Sequence, residues 1–589
     1  MEIEVPVKDP RHFNDKLRRN HEHMLRLETV LMTVFYPAAF GTGQGRPPSG
    51  QKRWSRETWL PRPRAKMADG YGKFGGIGPL AIPFFALTTG LTKLPAFRNA
   101  PLAEHWPPYE NFVMAGPAAK NKEGPAPEGA SAQPTFPLIL FSHGLGGTRT
   151  CYAGICGEFA SYGFVVCAVE HRDGSGPRTF VNFAPEGRRG SMGEREKSGD
   201  IKHNKHKKKH RYDKVDYYFP KDKPYDTSPN NADGVDTELR SAQIDMRLAE
   251  LEEAYMIVKE ISEGNGAHVA EINLRKKGNI GSSSHGLEGI DWSAWKDRVL
   301  LKNVTMVGHS FGAATTVEIL RSPKRFDFIS QGIIYDIWSA GMKKADENNP
   351  ETRIKLPILS INSEAFSYWT QNFELCRKLV EEARAEDALA WNLTIRGTIH
   401  INHSDFTLLY PHICSYLLKM TVDPQRALDL NINASLEFLQ TVLPEPYAQM
   451  PARAMRSEGI LETPIIEKMT DIPEDQLHKP QNEKWLAARI AIPNELHYRL
   501  DPRAISHRRK VRKNRGQPLD QSVDDEIWMH MAPSGEELKR HGHNPPPEPR
   551  HRVVNGHNGG AHKTQKDESN NADADCSTKR RGPQQPAGC

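Results

Sequence analysis

The 589-residue chain is 37% hydrophobic and 26% charged, with a net charge of +6, 46 glycines and 44 prolines. Its length exceeds the roughly 250–300 residues at which a single hydrophobic core stops growing, so more than one folding unit is allowed. A charge of +6 is too small for this length to argue for nucleic acid, and a mean hydropathy of −0.64 excludes an integral membrane protein for the whole. The seven cysteines (Cys151, Cys156, Cys167, Cys376, Cys414, Cys576 and Cys589) match neither a disulfide framework nor a zinc site, which favours a reducing compartment. Met1-Glu-Ile-Glu-Val-Pro has neither the basic nor the apolar region of a secretory signal, Glu2 excludes myristoylation, and Pro-Ala-Gly-Cys589 is no prenylation box. The expected location is the cytoplasm, with peripheral contact at membranes open to it.

Residues 24–40 read as a paired strand region, with Val30–Tyr36 rich in strand formers. Residues 41–64 read as loop. Ile77–Leu91 is the most apolar stretch, but it is shorter than the roughly 20 residues a spanning helix needs and contains two prolines. It cannot cross a bilayer; it either touches one through Phe84, Phe85 and Leu87 or packs against the sheet. Residues 115–134 have linker composition. Phe136–Ser142 is a continuous apolar run, the mark of a strand buried on both faces. A helix over 152–162 and a second buried strand, Phe164–Val169, follow, and strand, helix, strand at this spacing predicts a parallel sheet.

Residues 174–236, centred on the basic run Lys202–Arg211, have no apolar period and read as an insertion loop. From Leu239 to Ile261, Leu248, Leu251, Tyr255, Val258 and Ile261 fall on one helix face. Strands are predicted at Val304–Val307, Gly332–Asp336, Ile358–Ile361 and Trp391–Ile395, with helices at Ala313–Leu320 and Glu374–Ala388. Beyond about residue 445 the alternation stops: 446–532 is an appendage of uncertain fold, and 533–589 is expected to be disordered. His203, His206 and His210 lie among lysines that would repel a cation, so they are weak as a metal site.

The chemistry is concentrated in Gly308-His-Ser-Phe-Gly312, a G-x-S-x-G pattern between a buried strand and a helix-forming stretch, where a nucleophile elbow lies. Two glycines leave room for a sharp turn that presents Ser310 at a helix N-terminus, whose dipole favours developing negative charge. A serine needs a base, and the base an orienting carboxylate, in the chain order Ser, acid, His. His400 follows a late strand, with His403 three residues on; the pattern alone does not choose between them. Asp336 and Glu364 each end a strand after the elbow, and position slightly favours Glu364. Ser142-His-Gly-Leu-Gly-Gly147 follows the first buried strand, so the backbone N–H groups of Leu145 and Phe311 are the expected oxyanion hole.

Five ordered motifs, Phe141-Ser-His-Gly-Leu-Gly146, Val169-Glu-His-Arg-Asp173, Gly308–Gly312, Ile361-Asn-Ser-Glu364 and Ile395-Arg-Gly-Thr-Ile-His400, resemble the platelet-activating factor acetylhydrolases of the plasma and intracellular type II group. The resemblance runs through roughly residues 25–445. It implies an α/β-hydrolase fold, a mostly parallel central sheet flanked by helices, for a catalytic domain at 1–445. It implies Asp336 as the acid and His400 as the base. It also implies calcium-independent hydrolysis of short or oxidised sn-2 acyl groups of phospholipids. The implied partner is a phospholipid substrate, with no nucleic acid, no metal and no cofactor. The alternatives are a general carboxylesterase of the same fold and a non-catalytic lipid-binding protein. The basic insertion and the appendage have no counterpart in the resemblance.

Overall fold

The computed structural model describes residues 1–19, 21–39, 55–106, 124–197, 209–223, 226–227, 233–282, 286–345, 349–449, 457–466 and 526–543. The chain builds a nine-stranded sheet and a two-stranded one. In chain order the strands are β1 (Glu2–Arg19), β2 (Glu22–Phe35), β3 (Phe136–Ser142), β4 (Val165–Glu170), β5 (Arg178–Asn182), β6 (Tyr212–Asp216), β7 (Val299–His309), β8 (Ile329–Tyr335), β9 (Ile358–Ser363), β10 (Ala390–Ile395) and β11 (Ile527–Met531). The helices that matter below are α1 (Arg64–Gly75), α2 (Ala81–Leu87), α3 (Ala153–Ser161), α4 (Thr237–Glu260), α5 (Phe311–Leu320), α6 (Thr370–Ala385), α7 (Pro411–Leu417), α8 (Pro424–Val442) and α9 (Gly535–Arg540).

The large sheet runs β1-β2-β4-β3-β7-β8-β9-β10-β11. β4, β3, β7, β8, β9 and β10 are mutually parallel, with β3 pairing Ser142 to Gly308 of β7. β1, β2 and β11 are antiparallel to their neighbours. The β1-β2-β4-β3 order, followed by strands added in sequence on the other side of β3, is that of an α/β-hydrolase sheet.

Successive residues of β3 point to opposite faces, as a strand requires. Leu138 and Leu140 enter one core with α4, α5 and α6, while Ile139 and Phe141 enter another with α3 and α8. Both faces are therefore covered, which is why the parallel strands read as unbroken apolar runs. The loops after β3, β7, β8, β9 and β10 all open at the carboxyl edge of the sheet, where open α/β sheets place their sites.

Four expectations change. The basic insertion is not merely a loop: β5 and β6 lie within 174–236 and pair as an antiparallel ribbon with Phe180 and Tyr212 buried. Its ion pairs, such as Arg195 to Asp213, hide the charge that masked any apolar period. β1 is a strand the sequence pattern does not announce, because its outer half is polar and exposed or half-buried. β11 lies within the 446–532 appendage yet pairs with β10, with Ile527 and Met529 buried. Finally, α9 sits inside the stretch expected to be disordered from 533. Ser534 and Glu537 form a capping box at its start, and Glu537 pairs with Arg384 of α6. The rest of that tail, the run 506–515, and His203 and His206 lie outside the described residues. Among the described residues no helix is long and apolar enough to cross a membrane.

Candidate active site

Ser310 stands between β7 and α5 with φ 57° and ψ −117°, a backbone conformation that a side-chain-bearing residue adopts only under constraint. The turn is pinned on both sides: Ser310 N–H donates to the Tyr335 carbonyl (2.9 Å), and Trp338 N–H donates to the Ser310 carbonyl (3.1 Å). Its tightness explains the flanking glycines. A Cβ on Gly308 would fall 2.1 Å from the Gly312 carbonyl oxygen, and one on Gly312 would fall 2.0 Å from that of Ser142.

Asp336 follows β8, is fully buried, and accepts a hydrogen bond from His400 Nδ1 at 3.0 Å. Ser363 donates to it twice, from its N–H to Oδ1 and from its hydroxyl to Oδ2, each at 2.5 Å. Burial opposes ionisation, but the neighbouring His403 and His400 imidazoles outweigh it and hold this carboxyl well below the usual carboxylate range. His400 begins a 3₁₀ turn, and its ring stacks on Phe366 at 4.3 Å between centroids. With Nδ1 bound to Asp336, Nε2 is the nitrogen left for proton exchange.

The two competing residues have other surroundings. Glu364 is fully buried and accepts hydrogen bonds from the Tyr368 hydroxyl and from Gly397 N–H, both at 2.6 Å, so it braces the turn before His400. His403 has its Nε2 3.6 Å from Asp336 Oδ2, beyond hydrogen-bond range, and lies fully buried against Tyr335. The geometry thus joins Asp336 to His400 and leaves Glu364 and His403 as buried supports.

The loop after β3 closes over the serine: a Cβ on Gly144 would lie 2.8 Å from Ser310 Cβ. Within it, Gly144 N–H donates to the Tyr152 hydroxyl, Gly146 N–H to the Ser175 carbonyl and Gly147 N–H to the Gly144 carbonyl. Among the described residues no protein acceptor takes the N–H of Leu145 or Phe311. These are the two groups expected to face a developing oxyanion.

A family model described as platelet-activating factor acetylhydrolase, isoform II, matches residues 112–454, more than half of the chain. The chain belongs to this family. A platelet-activating factor acetylhydrolase of Gallus gallus is 32% identical over 320 residues, covering 54% of this chain and 64% of its own length. One of Canis lupus familiaris is 30% identical over 307 residues, 52% of this chain and 56% of its own. A putative phospholipase A2 of Schizosaccharomyces pombe is 26% identical over 339 residues, 52% and 67% respectively. The match spans less than two thirds of either animal relative. Among solved structures, a ferulic acid esterase from Streptomyces cinnamoneus aligns with 82% of this chain and 93% of that one, at 14% identity and a TM-score of 0.36.

This acetylhydrolase-family site also uses residues the motifs did not single out. The Tyr152 hydroxyl, holding Gly144 N–H, contacts His309 Nδ1 at 2.9 Å, and His309 Nε2 meets the His400 carbonyl at 3.1 Å. If the hydroxyl donates, His309 is neutral with its proton on Nε2. Burial, reinforced by the charges of His400 and His403, pushes its pKa well below the usual histidine value and favours that form. One chain of hydrogen bonds therefore links the loop, the elbow and the His400 turn. His309, Asp336 and His400 bring donor atoms within 4.8 Å of one another, but the contacts just described already engage both His309 nitrogens and His400 Nδ1. In the sequence the only hint of this role is that His309 fills the first variable position of G-x-S-x-G, beside Ser310.

The apolar segment divides. Phe85 is 5% exposed and packs against both Trp59 and Tyr71, so it is core. Phe84 and Leu87 are 36% and 87% exposed. α2 is a helix, and adjacent helical positions point about 100° apart, so Phe84 and Phe85 cannot face the same way. Phe84 stacks on Tyr410, the residue before α7, where Ile413, Tyr416 and Leu417 are also exposed.

Proposed function

We propose that the chain is a serine esterase that removes short or oxidised sn-2 acyl groups from platelet-activating factor-like phospholipids through an acyl-enzyme. Ser310 Oγ attacks the sn-2 carbonyl carbon while His400 Nε2 takes its proton. The carbonyl π electrons move to oxygen, and the tetrahedral oxyanion is held by the N–H groups of Leu145 and Phe311. Asp336 keeps the His400 proton on Nδ1 and stabilises the imidazolium. Collapse expels the lysophospholipid alkoxide, which takes the proton from Nε2. Water then repeats the attack with His400 as base, releasing the carboxylate and restoring Ser310. Backbone N–H groups meet the negative charge, so no step calls for calcium.

One observation carries this reading: a strained serine with the Asp336–His400 pair and two uncommitted N–H groups gathered at one sheet edge. Membership of the acetylhydrolase family supports the substrate class. Phe84 and Leu87, with the exposed apolar residues of α7, make the face by which the enzyme meets a lipid aggregate. Burial of each large apolar side chain there contributes about 1.5–3 kcal/mol.

The test is to treat the full chain with a fluorophosphonate, map the labelled residue, and compare kcat/KM for acetyl-phosphatidylcholine, long-chain phosphatidylcholine and an aryl acetate, with and without EDTA. Labelling at Ser310 with preference for the acetyl phospholipid and no EDTA effect is expected. Preference for the aryl acetate would make the enzyme a general carboxylesterase, and no labelling would make it a lipid-binding protein.

A further inference from the structure

Arg247 lies on α4, outside every motif discussed above, and its side chain is completely buried against Asp173. Its guanidinium spends three arms around the loop after β3. Nε donates to Asp173 Oδ2 at 2.7 Å, Nη1 to the His143 carbonyl at 2.9 Å, and Nη2 to the Ser175 hydroxyl at 2.6 Å. The Ser175 carbonyl in turn accepts the Gly146 N–H at 2.8 Å. Leu145 is thus bracketed, two residues before through His143 and one residue after through Ser175. The central carbon of the same guanidinium lies over the Phe311 ring, 4.4 Å from its centre. A single side chain therefore touches the supports of both N–H groups assigned to the oxyanion.

We propose that Arg247 is the positioning residue of the oxyanion hole, fixing the Leu145 and Phe311 N–H groups relative to each other, with Asp173 as its orienting partner. The inference rests on the esterase reading of Ser310 given above.

The chemistry of arginine suits this task. A planar fork offers donors in several fixed directions and a face that stacks on an aromatic ring, and a lysine ammonium has neither. A buried ion pair is a poor device for stability alone, since an apolar replacement of equal volume is often as stable. Its worth here is geometric. Asp173 is itself held, by Ser175 N–H at 2.9 Å and, through its carbonyl, by Gln243 Nε2 at 2.8 Å. His143 adds to the rigidity, its Nε2 accepting the His171 N–H at 3.1 Å. Arg247 touches neither Asp336 nor His400 in any of these contacts, so its loss should disturb the oxyanion and spare the acid–base pair.

Arg247→Lys in the full chain keeps the charge and removes the fork. Loss of one oxyanion donor typically lowers kcat about 10²–10³-fold, and a displaced donor should approach the lower bound. The variant is expected to label at Ser310 with a fluorophosphonate to the same final stoichiometry as wild type. Its kcat for an aryl acetate should fall about 10²-fold, with KM within about threefold and the pH midpoint of kcat/KM unmoved. The Ki of an aryl trifluoromethyl ketone, which the serine converts to a hemiketal oxyanion, should rise by the factor lost in kcat/KM.

A wild-type kcat per labelled serine would make Arg247 merely structural and overturn the proposal. A fall in kcat with unchanged ketone affinity would also overturn it. Should Arg247→Lys fail to fold, Ser175→Ala removes one arm without unpairing the ion pair. It is expected to lower kcat and ketone affinity together by about tenfold, and no change in either refutes the proposal. Failure of the esterase reading shows separately, as wild-type enzyme that neither labels at Ser310 nor binds the ketone, and the proposal falls with it.

Discussion

Replacing Asp336 with asparagine tests the proposed acid through a consequence of its hydrogen bonds. Oδ1 accepts the Ser363 N–H at 2.5 Å, and Oδ2 accepts from His400 Nδ1 at 3.0 Å and from the Ser363 hydroxyl. A backbone N–H can only donate, so the single oxygen of the asparagine amide must turn toward Ser363 N–H. The amide NH₂ then occupies the Oδ2 position and donates to His400 Nδ1. That forces the imidazole proton onto Nε2, the nitrogen that should accept the Ser310 proton. The base is present in the wrong tautomer, and the negative charge that would stabilise the imidazolium is gone. Such a change typically lowers kcat by about 10⁴, equivalent to about 5.4 kcal/mol of barrier. The assay is kcat on an aryl acetate and on acetyl-phosphatidylcholine, normalised to fluorophosphonate-labelled serine, beside a melting curve. Glu364→Gln is the control, because Glu364 serves Tyr368 and Gly397. Retention of more than about a tenth of wild-type kcat by Asp336→Asn, or a larger loss in Glu364→Gln, would refute the reasoning.

Ser310→Ala should abolish fluorophosphonate labelling and leave less than about a hundredth of the activity, with a near-wild-type melting temperature; residual activity above that level places the nucleophile elsewhere. Phe84→Ser with Leu87→Ser should weaken vesicle sedimentation and activity on vesicles while sparing a soluble short-chain ester. Phe85→Ser should instead lower the melting temperature, since truncating a buried phenylalanine costs about 3–5 kcal/mol. Glu250 provides a pH test: burial, aided by the nearby Asp173 charge, pushes its carboxyl up to about 8, while Oε2 lies 2.6 Å from His171 Nδ1 and Oε1 accepts the Arg172 N–H. A folded pKa above the unfolded value means the folded state holds the extra proton, so this stability is full below the unfolded carboxyl pKa and is lost as pH rises toward 8. Glu250→Gln keeps the shape without the titration, so its melting temperature relative to wild type should climb between pH 5 and pH 8.5; a flat difference means the carboxyl is already ionised.

The parts legible in the sequence are those whose cause is local. Phe136–Ser142 reads as a doubly buried strand because both faces of the sheet are covered, and it is β3 to the residue. Gly308 and Gly312 announce the elbow because no Cβ fits beside the next carbonyl, a constraint exerted within a few residues of Ser310 or by the adjoining strand. Motif order alone carried the family and the α/β-hydrolase sheet. What tertiary structure decided are contacts between residues far apart in the chain. Strand position alone does not separate Asp336 from Glu364, and it is the family resemblance that points to Asp336; the contacts themselves depend on the lie of the His400 turn, which brings one imidazole to Asp336 and leaves Glu364 holding Gly397. The burial of Phe85 beside the exposure of Phe84 depends on which way α2 meets Trp59. β11 pairs with β10 from more than 130 residues away, and Arg247 reaches His143 from 104 residues away. Local periodicity records which face of an element is apolar. It carries no term for which distant backbone or carboxylate that face will meet, and that is settled only when the sheet closes its edges and the loops pack across its carboxyl end.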